Sequence, residues 1–210
     1  MIPAGVLTFR EFVMREPLPL ATVQDGVFEF LRERSDFVLS GAQAVNAYVD
    51  EPRMSQDIDI LSARAAELAE EIRIDLANRF KIAVRVRTVA NQMGFRLYQV
   101  RSTGNRHLVN VRRMASLPPS RIVDGIPVAI AEEVIARKVL ACHRREGQPK
   151  ADTDRRDLKM LLFKFPELKM ADGAVRDRLA DLGAEPEAVD LWHRLAAEEI
   201  VEPHEDDEFF

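Results

Sequence analysis

The sequence predicts an α+β fold: a mixed β-sheet with flanking helices over residues 1–115, a helical subdomain over 116–200, and an acidic tail over 201–210. Three observations predict it. Strand-like runs dominate the middle of the chain, Pro118-Pro119 breaks that pattern, and apolar residues then recur at helical spacing to the far end. With 210 residues, 47% of them hydrophobic, the chain can bury a core and is not disordered throughout.

The elements follow in order. Leu20, Val23, Val27, Phe30 and Leu31 recur at helical spacing, and residues 36–40 read as a short strand. Gly41 opens a small-residue helix over 42–48, and the alternation of 57–61 marks a strand. The clearest helix spans 63–80, with Ala65, Leu68, Ala69, Ile72, Leu76 and Phe80 on one stripe and Ser62 as its expected N-cap. Strands are expected at 81–89, 95–100 and 107–111, joined by turn-rich pieces at 91–94 and 102–105. A short run at 122–130 containing Asp124-Gly125 leads to helices near 131–146, 153–164, 173–182 and 186–200.

Composition excludes several classes. A charged fraction of 31% and the lack of any apolar run of roughly 18 residues argue against a membrane span. The N-terminus reads as no secretory signal, and the single cysteine, Cys142, permits no internal disulfide, so a cytoplasmic location is expected. The net charge of -5 conceals an asymmetry: residues 81–113 carry Lys81, Arg85, Arg87, Arg96, Arg101, Arg106, Arg112 and Arg113 with no Asp or Glu. That block fits a polyanionic partner or the wet face of a sheet, and spacing alone leaves both open. The four histidines, His107, His143, His193 and His204, show no metal spacing and read as surface or packing residues. No GxSxG, Walker or GxGxxG motif supports a hydrolase, P-loop or Rossmann reading.

Two clusters carry chemistry. Asp57 and Asp59, sixteen and eighteen residues after Gly41, fall on one face of a strand because side chains alternate with period two. Adjacent carboxylates repel unless a proton or a hard cation neutralises them, and oxygen ligands suit Mg²⁺, which also takes substrate phosphates. In the helical half Lys138 lies in the middle of the stripe Ala131, Val134, Ile135, Val139 and Cys142, with Arg145 at its edge. Asp154 and Asp157 share the inward face of the next helix with Leu158 and Leu161. Acids and bases on inward faces pair with one another, here as Lys138–Asp157 or Arg145–Asp154, or serve a site, because an unpaired buried charge is costly.

Leu39-Ser-Gly41-Ala42, the short helix and Asp57-Ile-Asp59 together resemble the nucleotidyltransferase superfamily, and most closely its AbiEii/AbiGii-type toxin branch. That branch also has an Arg and a small hydroxyl residue just before the aspartates, matched by Arg53 and Ser55, and a helix with an inward Lys, a later basic residue and an Asp-x-x-Asp element, matched by Lys138, Arg145 and Asp154-Arg-Arg-Asp157. The resemblance runs from about Phe37 to Leu162. It implies a nucleotidyltransferase-like sheet and a nucleotide-binding set of Gly41, Ala42, Arg53, Ser55, Arg145 and Asp154. It further implies that Asp57 and Asp59 hold Mg²⁺ (or Mn²⁺), that Lys138 contacts the triphosphate of an NTP, and that Asp157 organises the lysine or the nucleotide.

The implied reaction moves a nucleoside monophosphate from an NTP to an acceptor, either RNA, including the end of a tRNA, along strands 81–113, or a protein. The implied role is the toxin of a toxin–antitoxin pair, with an antitoxin protein as partner. Two departures stand against the family pattern. Asn110 occupies the place where a third carboxylate commonly stands on a neighbouring strand, and Ala42 replaces the usual Ser or Gly. They leave open a catalytically impaired domain that binds nucleotide, RNA or protein, and an enzyme that relies on Asp57 and Asp59 with a single Mg²⁺.

Overall fold

The computed structural model describes residues 18–201, and they divide between two compact units, Met1–Ile130 and Ala131–Phe210. Apart from Val201, the expected acidic tail lies outside the described residues.

The first unit is built on a seven-stranded mixed sheet of order β3-β4-β5-β2-β1-β7-β6. Its strands are β1 (Val38–Ser40), β2 (Ile58–Ser62), β3 (Val84–Val89), β4 (Gly94–Gln99), β5 (Arg106–Arg113), β6 (Ser120–Val123) and β7 (Ile126–Ala129). β2 runs parallel to β5 and β1 parallel to β7, while the remaining neighbours are antiparallel. Helix α1 (Leu20–Leu31), the short helix α2 (Gly41–Asn46) and the long helix α3 (Ala65–Phe80) flank the sheet. α3 packs on β3, β4 and β5. Its fully buried Leu68, Ala69, Ile72 and Leu76 are the predicted stripe, and Leu97, Val109 and Ile58 are fully buried in the sheet. At roughly 25 cal/mol per Å² of apolar surface removed from water, such interdigitated aliphatic layers are the main source of stability here.

The structure moves several expected boundaries, each for a local reason. Ser62 does not cap α3: it ends β2, donates its hydroxyl to the Asp36 carbonyl at 2.7 Å, and accepts from the Arg64 N–H at 3.0 Å, so the helix starts three residues later. β3 begins at Val84 because Lys81 takes a left-handed φ of 54° that terminates α3. The run at 122–130 is half of a hairpin, β6–β7, whose turn residues Asp124 and Gly125 have φ of 50° and 79°. Positive φ at both central residues of a two-residue turn matches the right-handed twist of the strands it joins. Because β7 pairs with β1, the sheet continues past residue 115, and the first compact unit extends to Ile130.

The second unit consists of helices α4 (Ala131–Arg144), α5 (Pro149–Lys164), α6 (Ala174–Asp181) and α7 (Pro186–Ala197), with a 3₁₀ turn at Pro166–Leu168. α5 starts earlier than expected because Pro149 sits at its first turn, where a missing N–H costs nothing. Val139, Leu158, Leu161, Val175, Leu179 and Trp192 are fully buried here, and the Trp192 indole donates to the Ala171 carbonyl at 3.1 Å. No helix among the described residues is long and apolar enough to cross a membrane.

Candidate active site

The site begins at the junction of β1 and α2. Gly41 has φ of 65°, a left-handed conformation costly for any residue with a Cβ, and a Cβ placed there would lie 2.2 Å from Asp59 Oδ2. Two independent constraints therefore require glycine, and the second is the Asp59 carboxylate itself. Register explains the approach, since Ser40 pairs with Asp59 across the antiparallel β1–β2 ladder. Ala42, the next residue, is buried in the first turn of α2.

The segment leading to the aspartates is tied down from behind. The Asn46 side chain donates to the Arg53 carbonyl at 2.8 Å and accepts from the Arg53 N–H at 3.1 Å. The Gln24 amide donates to the Ser55 carbonyl at 2.9 Å, and the Ser55 hydroxyl donates to the Asp57 carbonyl at 2.9 Å. Ser55 is buried, so its hydroxyl fixes the backbone of Asp57. The Arg53 guanidinium donates to the Met54 carbonyl at 3.1 Å. Gln24 and Asn46 escaped the sequence reading. The signal for Gln24 was its place on the α1 stripe between Val23 and Val27, where a polar residue must find a partner.

Both carboxylates meet side chains from β5. Asp59 pairs in register with Asn110, whose amide donates to Asp59 Oδ1 at 2.8 Å. His107 Nδ1 lies 3.1 Å from Asp57 Oδ2, and its ring stacks on Tyr98 at 4.9 Å between centroids. His107 is thus part of the carboxylate cluster, contrary to its reading as a surface or packing residue. The reason is a bulge. Across β4–β5, Tyr98 pairs with His107 but Leu97 pairs with Val109, leaving Leu108 as an extra residue. An extra residue reverses the alternation, so His107 faces the same side as Asn110, whereas a regular strand would oppose them.

That same face carries much of the basic block. Register places Arg85 opposite Tyr98, Arg87 opposite Arg96, and Arg96 opposite Asn110, while Arg112 follows Asn110 by two residues. All four of these arginines are exposed. An open cavity of about 560 Å³ lies at this end of the sheet, lined by Arg85, Val86, Arg87, Thr88, Tyr98 and Asn105. Arg106 and Arg113 behave differently: Arg106 donates to Gln99 and to the Leu18 carbonyl at 2.9 Å, and Arg113 stacks over the Phe95 ring.

Asp57, in the bend one residue before β2, and Asp59, on β2, offer a hard divalent cation two carboxylates, a donor set that suits Mg²⁺ or Mn²⁺. The expected strand over 57–61 starts one residue later, at Ile58. Among the described residues no group of three or more His, Cys, Asp or Glu is placed to hold a metal.

The second unit contains the other predicted cluster. Lys138 Nζ donates to Asp154 Oδ1 at 2.9 Å and to Asp157 Oδ2 at 2.6 Å, and Arg145 reaches the second oxygen of Asp154 at 2.5 Å. Lys138 is 8% exposed and Asp157 is 0% exposed, so each charge depends on its partners. A second buried acid, Glu133, is held between Arg137 at 2.6 Å and Arg178 at 3.0 Å. Cys142 is buried, and that burial pushes its thiol above the ordinary range, away from the thiolate a nucleophile needs.

A family model described as nucleotidyl transferase AbiEii toxin, Type IV TA system, matches residues 26–208. Among solved structures, a putative nucleotidyltransferase from H. pylori is 15% identical, with 90% of this chain and 94% of that chain covered and a TM-score of 0.54. JHP933 from Helicobacter pylori is 15% identical over 91% of this chain and 92% of that one, with a TM-score of 0.50. The Megavirus polyadenylate synthase is 10% identical over 70% of this chain, with a TM-score of 0.55, and the match spans 32% of that longer chain. At these identities the likeness is one of fold. Comparison with curated proteins gives no match.

Proposed function

Because this chain belongs to the AbiEii family of nucleotidyl transferase toxins, we propose that it transfers a nucleoside monophosphate from an NTP to an RNA acceptor and releases pyrophosphate. The observation that carries this reading is the closure of the Gly41 turn against Asp59, beside Asp57. In the proposed reaction Asp57 and Asp59 hold Mg²⁺ or Mn²⁺, which when bound neutralises phosphate charge and lowers the pKa of the attacking hydroxyl. Gly41 leaves the backbone of its turn open to the triphosphate, and Ala42 keeps that surface free of a competing side chain. Ser55 and Arg53, anchored by Gln24 and Asn46, fix the approach of Asp57. Transfer of this kind depends on positioning and electrostatic stabilisation more than on covalent chemistry by the protein.

For the second unit we propose the role that the family implies. Lys138 and Arg145 supply positive charge for the triphosphate and the leaving pyrophosphate, and Asp154 and Asp157 organise those cations. The convergence of both cations on Asp154 supports this. The acceptor is proposed from the exposed arginines and the Tyr98–His107 stack: guanidinium groups suit phosphates, and aromatic faces suit unpaired bases. As a toxin, the chain is proposed to be neutralised by an antitoxin protein.

A second reading, a nucleotide- or RNA-binding domain with impaired catalysis, is favoured by one observation, the amide of Asn110 in contact with Asp59. Incubation with each α-labelled NTP, Mg²⁺, and total RNA or lysate protein separates these readings. Label on RNA supports the proposal, label on protein moves the acceptor to a polypeptide, and binding without label under any NTP supports the impaired domain.

A further inference from the structure

Resting on the reading that Asp57 and Asp59 bind a divalent cation, we propose that Asn110 restricts the protein to holding one such cation, not two. Asn110 stands beside Asp59 on the adjacent parallel strand, is 7% exposed, and lies 2.8 Å from Asp59 Oδ1. A carboxylate only accepts hydrogen bonds, so the nitrogen of the amide, not its oxygen, must face it. The side chain next to Asp59 therefore presents N–H groups, which repel a cation, and uses up one of Asp59's oxygen sites.

Among the described residues, the other strand neighbours of Asp59 supply no replacement anion. On the other flank Asp59 pairs with Ser40, followed by Gly41, whose backbone leaves no room for a side chain. Beyond Asn110 the register partner is Arg96, a fixed positive charge. Asp57 Oδ2 is faced by His107 Nδ1 at 3.1 Å. Two carboxylates carry two negative charges, which one divalent ion neutralises. Two cations roughly 3.5–4 Å apart repel strongly and need further anionic ligands to be held together. A second ion here would lie towards Arg96, with no further carboxylate among the described strand neighbours. Replacing the amide by a carboxylate at position 110 changes that balance without altering the backbone, because Asn and Asp are nearly isosteric.

The test is the number of Mn²⁺ ions bound per chain, read from the loss of the free-ion electron paramagnetic resonance signal, with Mn²⁺ alone and no nucleotide. The expected counts are one for the wild type, one for Asn110→Ala, two for Asn110→Asp, and none for Asp57→Asn/Asp59→Asn. A wild-type count of two, lost in the double variant, overturns the inference and leaves the cation reading of the aspartates intact. An Asn110→Asp protein that is folded by circular dichroism yet still binds one ion also overturns it. No ion on the wild type overturns the cation reading as well. If Asn110→Asp fails to fold, the wild-type count of one or two decides alone.

Discussion

Gly41 shows most sharply how one residue sets the site. Any side chain there meets the carboxylate of Asp59 and forces a left-handed φ on a residue that disfavours it. Gly41→Ala is expected to lower stability by about 1–2 kcal/mol, the usual cost of that conformation. Activity should fall by about a hundredfold, because displacing a reacting group by about 1 Å is worth that much. Thermal unfolding and kcat measured together check this, and an alanine variant with wild-type kcat would refute the coupling. Gly41 and Asp59 were legible in the sequence because a turn glycine and an alternating strand announce themselves locally, whereas Asp57 lies one residue before the strand that was expected to hold it. His107 was not, since its side of β5 is set by the extra residue Leu108, a feature of pairing between strands. Gln24 and Asn46 were missed for a related reason: their partners are carbonyl groups of a distant loop.

Among the elements, the entry to β1 and the start of α3 are joined by ionic contacts. Arg34 donates to both oxygens of Asp36, at 3.0 Å and 2.8 Å, and to Glu71 at 2.7 Å, while Arg64 bridges the same two acids. The Arg34 hydrogen bonds hold the Asp36 carboxyl below its ordinary range. A group with a depressed folded pKa stabilises the protein fully above its unfolded pKa, here near 3.8, and loses that contribution as pH falls through the folded value. Asp36→Asn should therefore cost less than about 1 kcal/mol near neutrality, since the pair is partly solvated, and should flatten the loss of stability below about pH 4. Urea midpoints from pH 7 to pH 3 test the sign, and an unchanged acid limb contradicts it.

The α4–α5 pair rests on a buried network instead. Lys138→Met leaves Asp154 and Asp157 without their shared cation and is expected to cost about 3–5 kcal/mol. If Lys138 serves the triphosphate as proposed, kcat falls further than the unfolded fraction explains when assayed where the variant is still folded. A loss of activity that matches the unfolded fraction alone assigns the lysine to structure. The inward faces of α4 and α5 were legible from periodicity. The Lys138–Asp157 and Arg145–Asp154 pairs were legible with them, whereas the further contact of Lys138 with Asp154 was not, because wheel positions on separate helices carry no register.

For the whole molecule, the change of texture was expected near residue 115, but the sheet takes in one more hairpin before the helices begin at Ala131. A short Asp-Gly turn between two four-residue strands is easily lost beside prolines, and only its pairing with β1 ties it to the sheet. The family match, residues 26–208, likewise reaches beyond the stretch that carries the recognisable motifs. In the first unit Asp59 and four exposed arginines share one sheet face, and the Gly41 turn closes against Asp59. That arrangement gives the central claim its most direct measurement: pyrophosphate released and α-label transferred to RNA, followed together for the wild type and for Asp57→Asn/Asp59→Asn. The wild type is expected to release one pyrophosphate for each label transferred, and the folded double variant to lose both. Transfer that persists in that variant, or label that moves from the γ- and not the α-phosphate, would contradict that claim.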